Sequence, residues 1–417
     1  MTATSPRLSA RTALALRAGR IAGLVSRRAG VGAGVTIGGR VALVVSPKAL
    51  AELAAGRGPC VISGTNGKTT TTRLIAAGMV GAGRRVVSNG TGANLASGLA
   101  SALGEGDRAA LPVLEIDEAV LPRVIGALDP GLVILTNLSR DQLDRYGEVG
   151  TVAGRWRQML QDRPGQRVIA NAADPLVVWA ASPAETTWVD TGLTWREDAT
   201  VCPACGALLE WGDGGFASAC GFHQPVPDIT LRHGVVSLGG EQVALSLDLP
   251  GRWNQANAAM ALAACQALGV APAAAAASMA AVREVSGRQA TWALGDGRRA
   301  RLLLAKNPAG WTEVLHYVAG SAAGIVLVLN CQVADGKDPS WLWDVPFELL
   351  AGRGAGRVAA AGERVLDLAV RLRYAGIEPV VEPDPLRAAA AVDGDGVEVL
   401  ATYSAFVALG RRLRGAP

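Results

Sequence analysis

The run Ser63-Gly64-Thr65-Asn66-Gly67-Lys68-Thr69-Thr70 constrains this chain more than any other stretch, because few backbones can surround a triphosphate. Before it stands Pro59-Cys60-Val61-Ile62, a short apolar strand signal. After it, Thr71-Thr72-Arg73-Leu74-Ile75-Ala76-Ala77 shows apolar residues at helical spacing. Gly64 and Gly67 let backbone N–H groups approach phosphate oxygens, and the helix start adds the positive end of its dipole. In such a loop Lys68 reaches the outer phosphates of ATP, and Thr69 offers its hydroxyl to Mg²⁺. The general pattern asks for a further glycine upstream, where this chain has Ile62-Ser63. This is the shorter variant, Gly-Thr-Asn-Gly-Lys-Thr.

From residue 59 onward short apolar runs alternate with helical segments, the mark of an α/β fold with a mainly parallel sheet. Strand candidates are 59–63, 84–88, 111–116, 131–136 and 166–170, with strand character resuming at 241–250. Between them, 198–228 is rich in Cys, Gly and Pro and reads as an inserted module. An Ala-rich helix covers 254–269, and a polar, Arg- and Gly-rich crossing near 286–300 marks a boundary. Beyond it, strands near 301–305, 324–330, 356–360, 378–381 and 397–401 define a second, Rossmann-like α/β unit. The expected domains are an N-terminal helical and Gly-rich segment (1–54), a central P-loop ATPase domain (55–290) and a C-terminal domain (291–417).

No apolar run in the 417 residues approaches the roughly 20 that a spanning helix needs. Arg7, Arg11, Arg17 and Arg20 break up every candidate signal-peptide core, so a cytoplasmic protein is expected. Residues 5–29 alternate Arg with apolar residues at helical spacing. Such a basic face suits an anionic membrane surface or an acidic partner, but the expectation is a solvated helix packed on its own domain. The net charge of +4 gives no reason to expect nucleic acid. Of 40 basic residues 36 are Arg, which draws attention to the four lysines, Lys48, Lys68, Lys306 and Lys337.

Other polar clusters sit at strand ends. Glu115, Asp117 and Glu118 follow an apolar strand at the edge where parallel sheets bind ligands, and a carboxylate there can hold Mg²⁺. Thr136-Asn137-Leu138-Ser139-Arg140-Asp141-Gln142 follows the next strand. Asn254 and Asn257 open the Ala-rich helix, either as caps or as readers of an adenine edge.

Together these segments resemble the Mur ligase family, whose members activate a carboxylate with ATP and couple it to an amine; the resemblance covers the chain from about residue 55. It implies that Gly64, Thr65, Asn66, Gly67, Lys68, Thr69 and Thr70 form the phosphate loop and that Glu115 binds magnesium. It further implies that Asn254 contacts the adenine and that Arg288, in Ser286-Gly287-Arg288, lies near the terminal phosphate. Three departures narrow it. Ordinary members carry Asp-His where Asp141-Gln142 stands here, and they use a central-domain lysine, whereas none lies between Lys68 and Lys306. The 54 residues before the central domain leave no room for the usual uridine-binding domain, which argues against a UDP-linked substrate.

The C-terminal motifs point to one branch. Ala305-Lys306-Asn307-Pro308-Ala309-Gly310-Trp311 and Asp335-Gly336-Lys337-Asp338-Pro339-Ser340-Trp341-Leu342-Trp343-Asp344 closely resemble the MurT family. Gly362-Glu363-Arg364 and Thr402-Tyr403-Ser404-Ala405 fit it too. Members are synthetase subunits of lipid II isoglutaminyl synthase. The resemblance implies phosphorylation of the α-carboxylate of D-glutamate in the lipid II stem peptide, at the cytoplasmic membrane face. Ammonia from a GatD-type glutaminase then gives D-isoglutamine. It also singles out Asp344, which would assist ammonia, the alternative being a cap or turn Asp. Lys68 and Arg288 would offset charge on the transferring phosphoryl group, and Lys306 is either a phosphate contact or a surface lysine before a proline turn. Trp341 and Trp343 read as packing or partner-facing residues.

The inserted module resembles the zinc ribbon of MurT proteins. Cys202-Pro203-Ala204-Cys205-Gly206 is a full knuckle, but the second reads Ala217-Ser218-Ala219-Cys220-Gly221-Phe222, with alanine in place of a cysteine. His223 stands as a replacement fourth ligand for Zn²⁺; the alternative is a ribbon that has lost its metal. Cys60, Cys265 and Cys331 read as buried small hydrophobes. Two competing readings are a stand-alone amino-acid ligase of the Mur or folylpolyglutamate type and a non-catalytic nucleotide-binding protein.

Overall fold

The computed structural model describes residues 8–28, 35–90, 92–141, 148–193, 195–283, 289–354 and 356–415. The chain divides into two compact units, one of residues 1–139 and 148–283, the other of 140–147 and 284–417.

The first unit holds a nine-stranded sheet. Its parallel part comprises β1 (Cys60–Ser63), β2 (Val86–Ser88), β3 (Leu111–Glu115), β4 (Leu132–Leu135), β5 (Arg167–Asn171) and β6 (Glu185–Asp190). After a two-stranded hairpin, β7 (Glu210–Gly212) with β8 (Gly215–Ala217), the sheet continues through β9 (Ile229–Arg232), β10 (Val235–Leu238) and β11 (Glu241–Ala244). The strand order is β11-β10-β9-β6-β5-β4-β1-β3-β2, with β9, β10 and β11 forming an antiparallel meander. The strand expected over 241–250 therefore stops at Ala244, and its partners β9 and β10 are only four residues each, too short for a strand period to stand out in the sequence.

Chain order reverses around β1, which lies between β3 and β4: Ile62 is in register with Glu115 on one side and Ile134 on the other. Open parallel sheets bind ligands at such a switch point, beyond the C-terminal strand ends. All four β1 residues are buried, as are all four of β4, so the strand that feeds the phosphate loop is fixed on both faces. Val61, Leu114 and Val133 join the helix residues Leu99, Leu121 and Trp156 in one core, all with 6 % exposure or less.

Ahead of the sheet, helix α1 (Ala10–Arg28) pairs with α2 (Val35–Val45). The pair is close because both surfaces are glycine at the crossing: a Cβ on Gly19 would sit 2.4 Å from the Gly38 carbonyl oxygen. Gly39 is equally tight against the helix Ala96–Glu105, where a Cβ would fall 1.7 Å from the Ser97 oxygen.

In the second unit the sheet order is β12-β13-β17-β14-β15-β16. Here β12 is Gln289–Ala293, β13 Arg299–Leu304, β14 Gly324–Val328, β15 Val358–Ala361, β16 Val380–Val381 and β17 Val397–Ala401. All neighbours are parallel except the β12–β13 hairpin. The Arg- and Gly-rich crossing near 286–300 thus contains that hairpin, turned at Gly297 with φ +85°. As an edge strand with one solvated side, β12 lacks the continuous apolar run that marks β14.

Candidate active site

The phosphate loop joins β1 to the helix Lys68–Gly81. Gly64 (φ +141°) and Gly67 (φ +83°) bear its two tight approaches, and neither position admits a side chain. A Cβ would stand 2.2 Å from the Thr136 hydroxyl at Gly64 and 2.2 Å from Asn257 Oδ1 at Gly67. Gly67 offers the helix no side-chain cap, so its first amides point where a phosphate would lie.

The segment after β4 braces the loop from the other side. Thr65 N donates to the Asn137 carbonyl (2.9 Å), Asn66 N to Asn137 Oδ1 (2.9 Å), and Asn66 Nδ2 to Ser139 Oγ (3.2 Å). The Thr136 hydroxyl donates to the Asn66 carbonyl at 2.9 Å, and Ser139 N to Thr65 Oγ1 at 3.0 Å. Leu138 N donates to Asp174 Oδ2 (2.7 Å), while the other oxygen of that carboxylate caps the helix Pro175–Ala181 through Leu176 N and Val177 N. Burial pushes Asp174 up to about 6 against the pull of those three N–H groups.

Lys68 is buried and donates to the Gly64 carbonyl, to the Thr65 carbonyl (3.2 Å) and to Glu118 Oε2 (2.9 Å). Burial alone would lower its pKa, but the charge and hydrogen bond of Glu118, with Asp117 and Glu115, raise it above the ordinary value. The lysine is therefore a firm cation. Glu115 is 1 % exposed and, among the described residues, its Oε2 has no hydrogen-bond partner. A buried carboxylate oxygen left unmatched beside the phosphate loop suits a hard divalent cation, so these residues fit Mg²⁺.

Neither amide of the Ala-rich helix Arg252–Ala267 caps it. Asn254 Nδ2 donates to the Pro250 carbonyl (2.6 Å), and Asn257 Oδ1 accepts from the Thr71 hydroxyl (3.4 Å) beside Gly67. Arg288 lies outside the described residues.

Within the second unit, two ion pairs gather the branch-specific motifs. Lys306 pairs with Asp141, and Asp344 Oδ2 accepts from Arg140 at 3.0 Å. Asp344 closes a 3₁₀ turn, Ser340–Asp344, and caps no helix. Asp335 accepts from Ser404 N (2.8 Å), and Asn330 N donates to the Thr402 hydroxyl (3.0 Å). The Asp335 and Thr402-Tyr403-Ser404 motifs, far apart in sequence, are thus one structure at the strand ends. Trp343 is 55 % exposed and leans on Tyr374 and on the buried Arg371.

Residues 62–265 match the Mur ligase middle domain, and residues 304–406 the MurT ligase C-terminal domain. Over 96% of both chains, the sequence is 30% identical to a protein of Streptococcus pneumoniae named lipid II isoglutaminyl synthase (glutamine-hydrolyzing) subunit MurT. The chain belongs to the MurT family.

A MurT subunit of Staphylococcus aureus is 29% identical over 86% of this chain and 87% of its own. Among solved structures, MurF of Acinetobacter baumannii superposes with a TM-score of 0.65 at 15% identity, covering 90% of this chain and 80% of its own. A folylpolyglutamate synthase of Mycobacterium tuberculosis gives 0.58 at 17% identity, covering 90% and 93%. Both show the Mur ligase fold. MurT membership makes the chain an ATP-dependent ligase of peptidoglycan synthesis by family, as the phosphate loop had suggested.

The inserted module contains the β7–β8 hairpin, with Cys202, Phe216 and Leu209 in a small core of its own. The sulfurs of Cys202, Cys205 and Cys220 all lie within 4.8 Å of one another. Cys202 Sγ and Cys220 Sγ are 3.7 Å apart. A tetrahedral zinc with Zn–S of ~2.3 Å places its sulfurs about 3.8 Å apart, so the thiols fit that metal. The Ser218 hydroxyl and the Ala207 N–H lower the Cys205 thiol to about 7. His223 is not part of the cluster; its Nδ1 lies 2.8 Å from the Gly221 carbonyl oxygen. Among the other cysteines, Cys60 and Cys265 are buried, while Cys331 is only half-buried, in the loop beyond β14.

Glu118, Asn137 and Ser139 stood in the sequence only within polar clusters at strand ends, without the partners found here, and Asp174 was not distinguished at all. The Asp174-Pro175 pair did carry a signal, since an acid before a proline starts helices.

Proposed function

We propose that this chain is the synthetase subunit of a lipid II isoglutaminyl synthase, working at the cytoplasmic face of the membrane with a GatD-type glutaminase. Full-length similarity to the Streptococcus pneumoniae subunit of that name carries the reading. The braced phosphate loop with a buried lysine supports it.

Lys68 and the amides at the start of its helix would bind the outer phosphates of ATP. Thr69 and Glu115 would hold Mg²⁺, which would offset the negative charge of the nucleotide phosphates. Asn254 would contact the adenine, and Arg288 the terminal phosphate. The α-carboxylate oxygen of the stem-peptide D-glutamate attacks the γ-phosphorus, and ADP leaves. Ammonia then attacks the acyl carbon, phosphate departs with its electron pair, and the nitrogen loses a proton. Asp344, held by Arg140, is the base proposed to take that proton, and Lys306 a phosphate contact once released from Asp141. A carboxylate is inert to ammonia at neutral pH, so the acyl phosphate is what makes the amide accessible. Cys202, Cys205 and Cys220 would hold a structural Zn²⁺.

The chain purified with a glutaminase should convert lipid II, ATP, Mg²⁺ and glutamine into amidated lipid II, read by mass spectrometry. Addition of an amino acid to the substrate, with no dependence on glutamine or ammonium, would favour a stand-alone ligase instead.

A further inference from the structure

Helix α1 is amphipathic in an unusual sense. Its buried face is made of small residues, Thr12, Ala15, Gly19, Gly23 and Ser26; Leu16 packs against the core, but the other large apolar side chains point outward. Leu14, Ile21 and Val25 are each 62 % exposed and Leu24 is 48 % exposed. At 100° per residue, Leu14, Ile21 and Val25 fall in one stripe. Arg11 lies on one side of that stripe, and Arg17 and Arg28 on the other; all three are exposed. On α2, Val44 (75 %) and Ile37 (37 %) are exposed together with Arg40. A helix kept only by its own domain would bury most of its large apolar side chains rather than its glycines.

Charge is segregated in the same place. Residues 1–51 contain eight cationic side chains and no carboxylate, the first being Glu52. The remainder of the chain has 32 of the 40 basic residues against all 36 acidic ones and is net negative. The helix hairpin is therefore a cationic, apolar face on an otherwise acidic protein. Among the described residues no helix is long and apolar enough to cross a membrane.

We infer that the outer face of α1, with the adjoining end of α2, docks on an anionic lipid bilayer. Leu14, Ile21, Leu24 and Val25 enter the acyl boundary, and the flanking arginines reach up to the phosphates of the headgroups. A protein partner would match the apolar stripe equally well. The unbroken run of cations without a carboxylate is what selects a uniformly anionic surface. The inference stands on the hairpin itself; a lipid-borne substrate, as proposed above, gives the docking a purpose.

Flotation of the full chain with vesicles tests this without any substrate present. Wild type should float with phosphatidylglycerol–phosphatidylethanolamine vesicles, weakly with phosphatidylcholine alone, and less as salt rises. Leu14→Ser/Ile21→Ser/Val25→Ser should lose at least about tenfold in vesicle affinity, given the apolar area removed. Arg17→Gln/Arg28→Gln should weaken binding to anionic vesicles alone. All five positions are exposed, so thermal melting should be unchanged. Failure of wild type to float on anionic vesicles, or equal flotation of the triple variant, overturns the proposal. So does loss of glutaminase copurification in the triple variant with vesicle binding intact, which would assign the face to the partner subunit. Catalysis enters none of these readouts, so they remain valid if the amidation reading fails.

Discussion

Lys68 Nζ lies 2.9 Å from Glu118 Oε2, and both side chains are 8 % exposed. The pair makes the lysine's role double. It is the cation poised for phosphate, and it neutralises a carboxylate that β3 places next to Glu115 and Asp117 under the loop. Removing one member of a buried pair leaves the other charge uncompensated.

Lys68→Ala should therefore do more than stop ATP turnover. It should also destabilise the first unit by about 3–5 kcal/mol, read as a lower urea midpoint. Adding Glu118→Gln should recover most of that stability while turnover stays absent. A single variant that melts like wild type would show that the pair does not stabilise the unit.

Asp174 links the helix Pro175–Ala181 to Leu138 and so to the loop brace. Asp174→Asn keeps an oxygen for Leu176 and Val177 but presents an NH₂ to the Leu138 N–H. KM for ATP should rise more than kcat falls. The pH dependence gives an independent check. The folded value is about 6 against an ordinary 3.8, so the folded state holds a proton that the unfolded state has released between those values. Stability from this group is full below about 4 and is lost as pH rises to about 6, a change on the order of 3 kcal/mol. The stability difference between wild type and Asp174→Asn should follow that slope; a flat difference would remove Asp174 as its source.

Asp344→Asn preserves size and hydrogen bonding but removes the charge facing Arg140. Amidation should fall by about 10²-fold or more while nucleotide binding is unchanged, as expected for loss of a general base. With Asp344 partly exposed, its pair with Arg140 contributes little stability, and melting should hardly move. Normal amidation by this variant would make the residue structural.

In the ribbon, protein prepared without chelator should contain near-stoichiometric zinc, and His223→Ala should leave it unchanged because the ring is outside the thiol cluster. Ala217→Cys should tighten binding by supplying a fourth thiolate. Cobalt substitution gives the reading, since thiolate-to-cobalt absorption counts the sulfurs. Absence of metal in wild type would leave a ribbon held by Phe216, Trp211 and Phe222 alone.

Much of the site was legible because its chemistry is local. The glycines at 64 and 67, Lys68, Thr69 and the buried β1 before them form one continuous segment, and strand and helix periods bracket it. Continuous apolar runs likewise marked β3, β4 and β14 to within a residue or two. By itself, then, the sequence determined a phosphate loop on a parallel sheet and the family to which these motifs point. What it left undetermined depends on chain reversal. The order β3-β1-β4 sets Glu118 against Lys68 and Asn137 against Asn66, and no spacing along the chain records that neighbourhood. Strands β9, β10 and the edge strand β12 escaped because each is only four or five residues long, too short for a period to stand out. The outward stripe on α1 was likewise decided in three dimensions. Helical spacing shows that Leu14, Ile21 and Val25 share a face, but only the glycine contact between Gly19 and Gly38 turns that face to the outside.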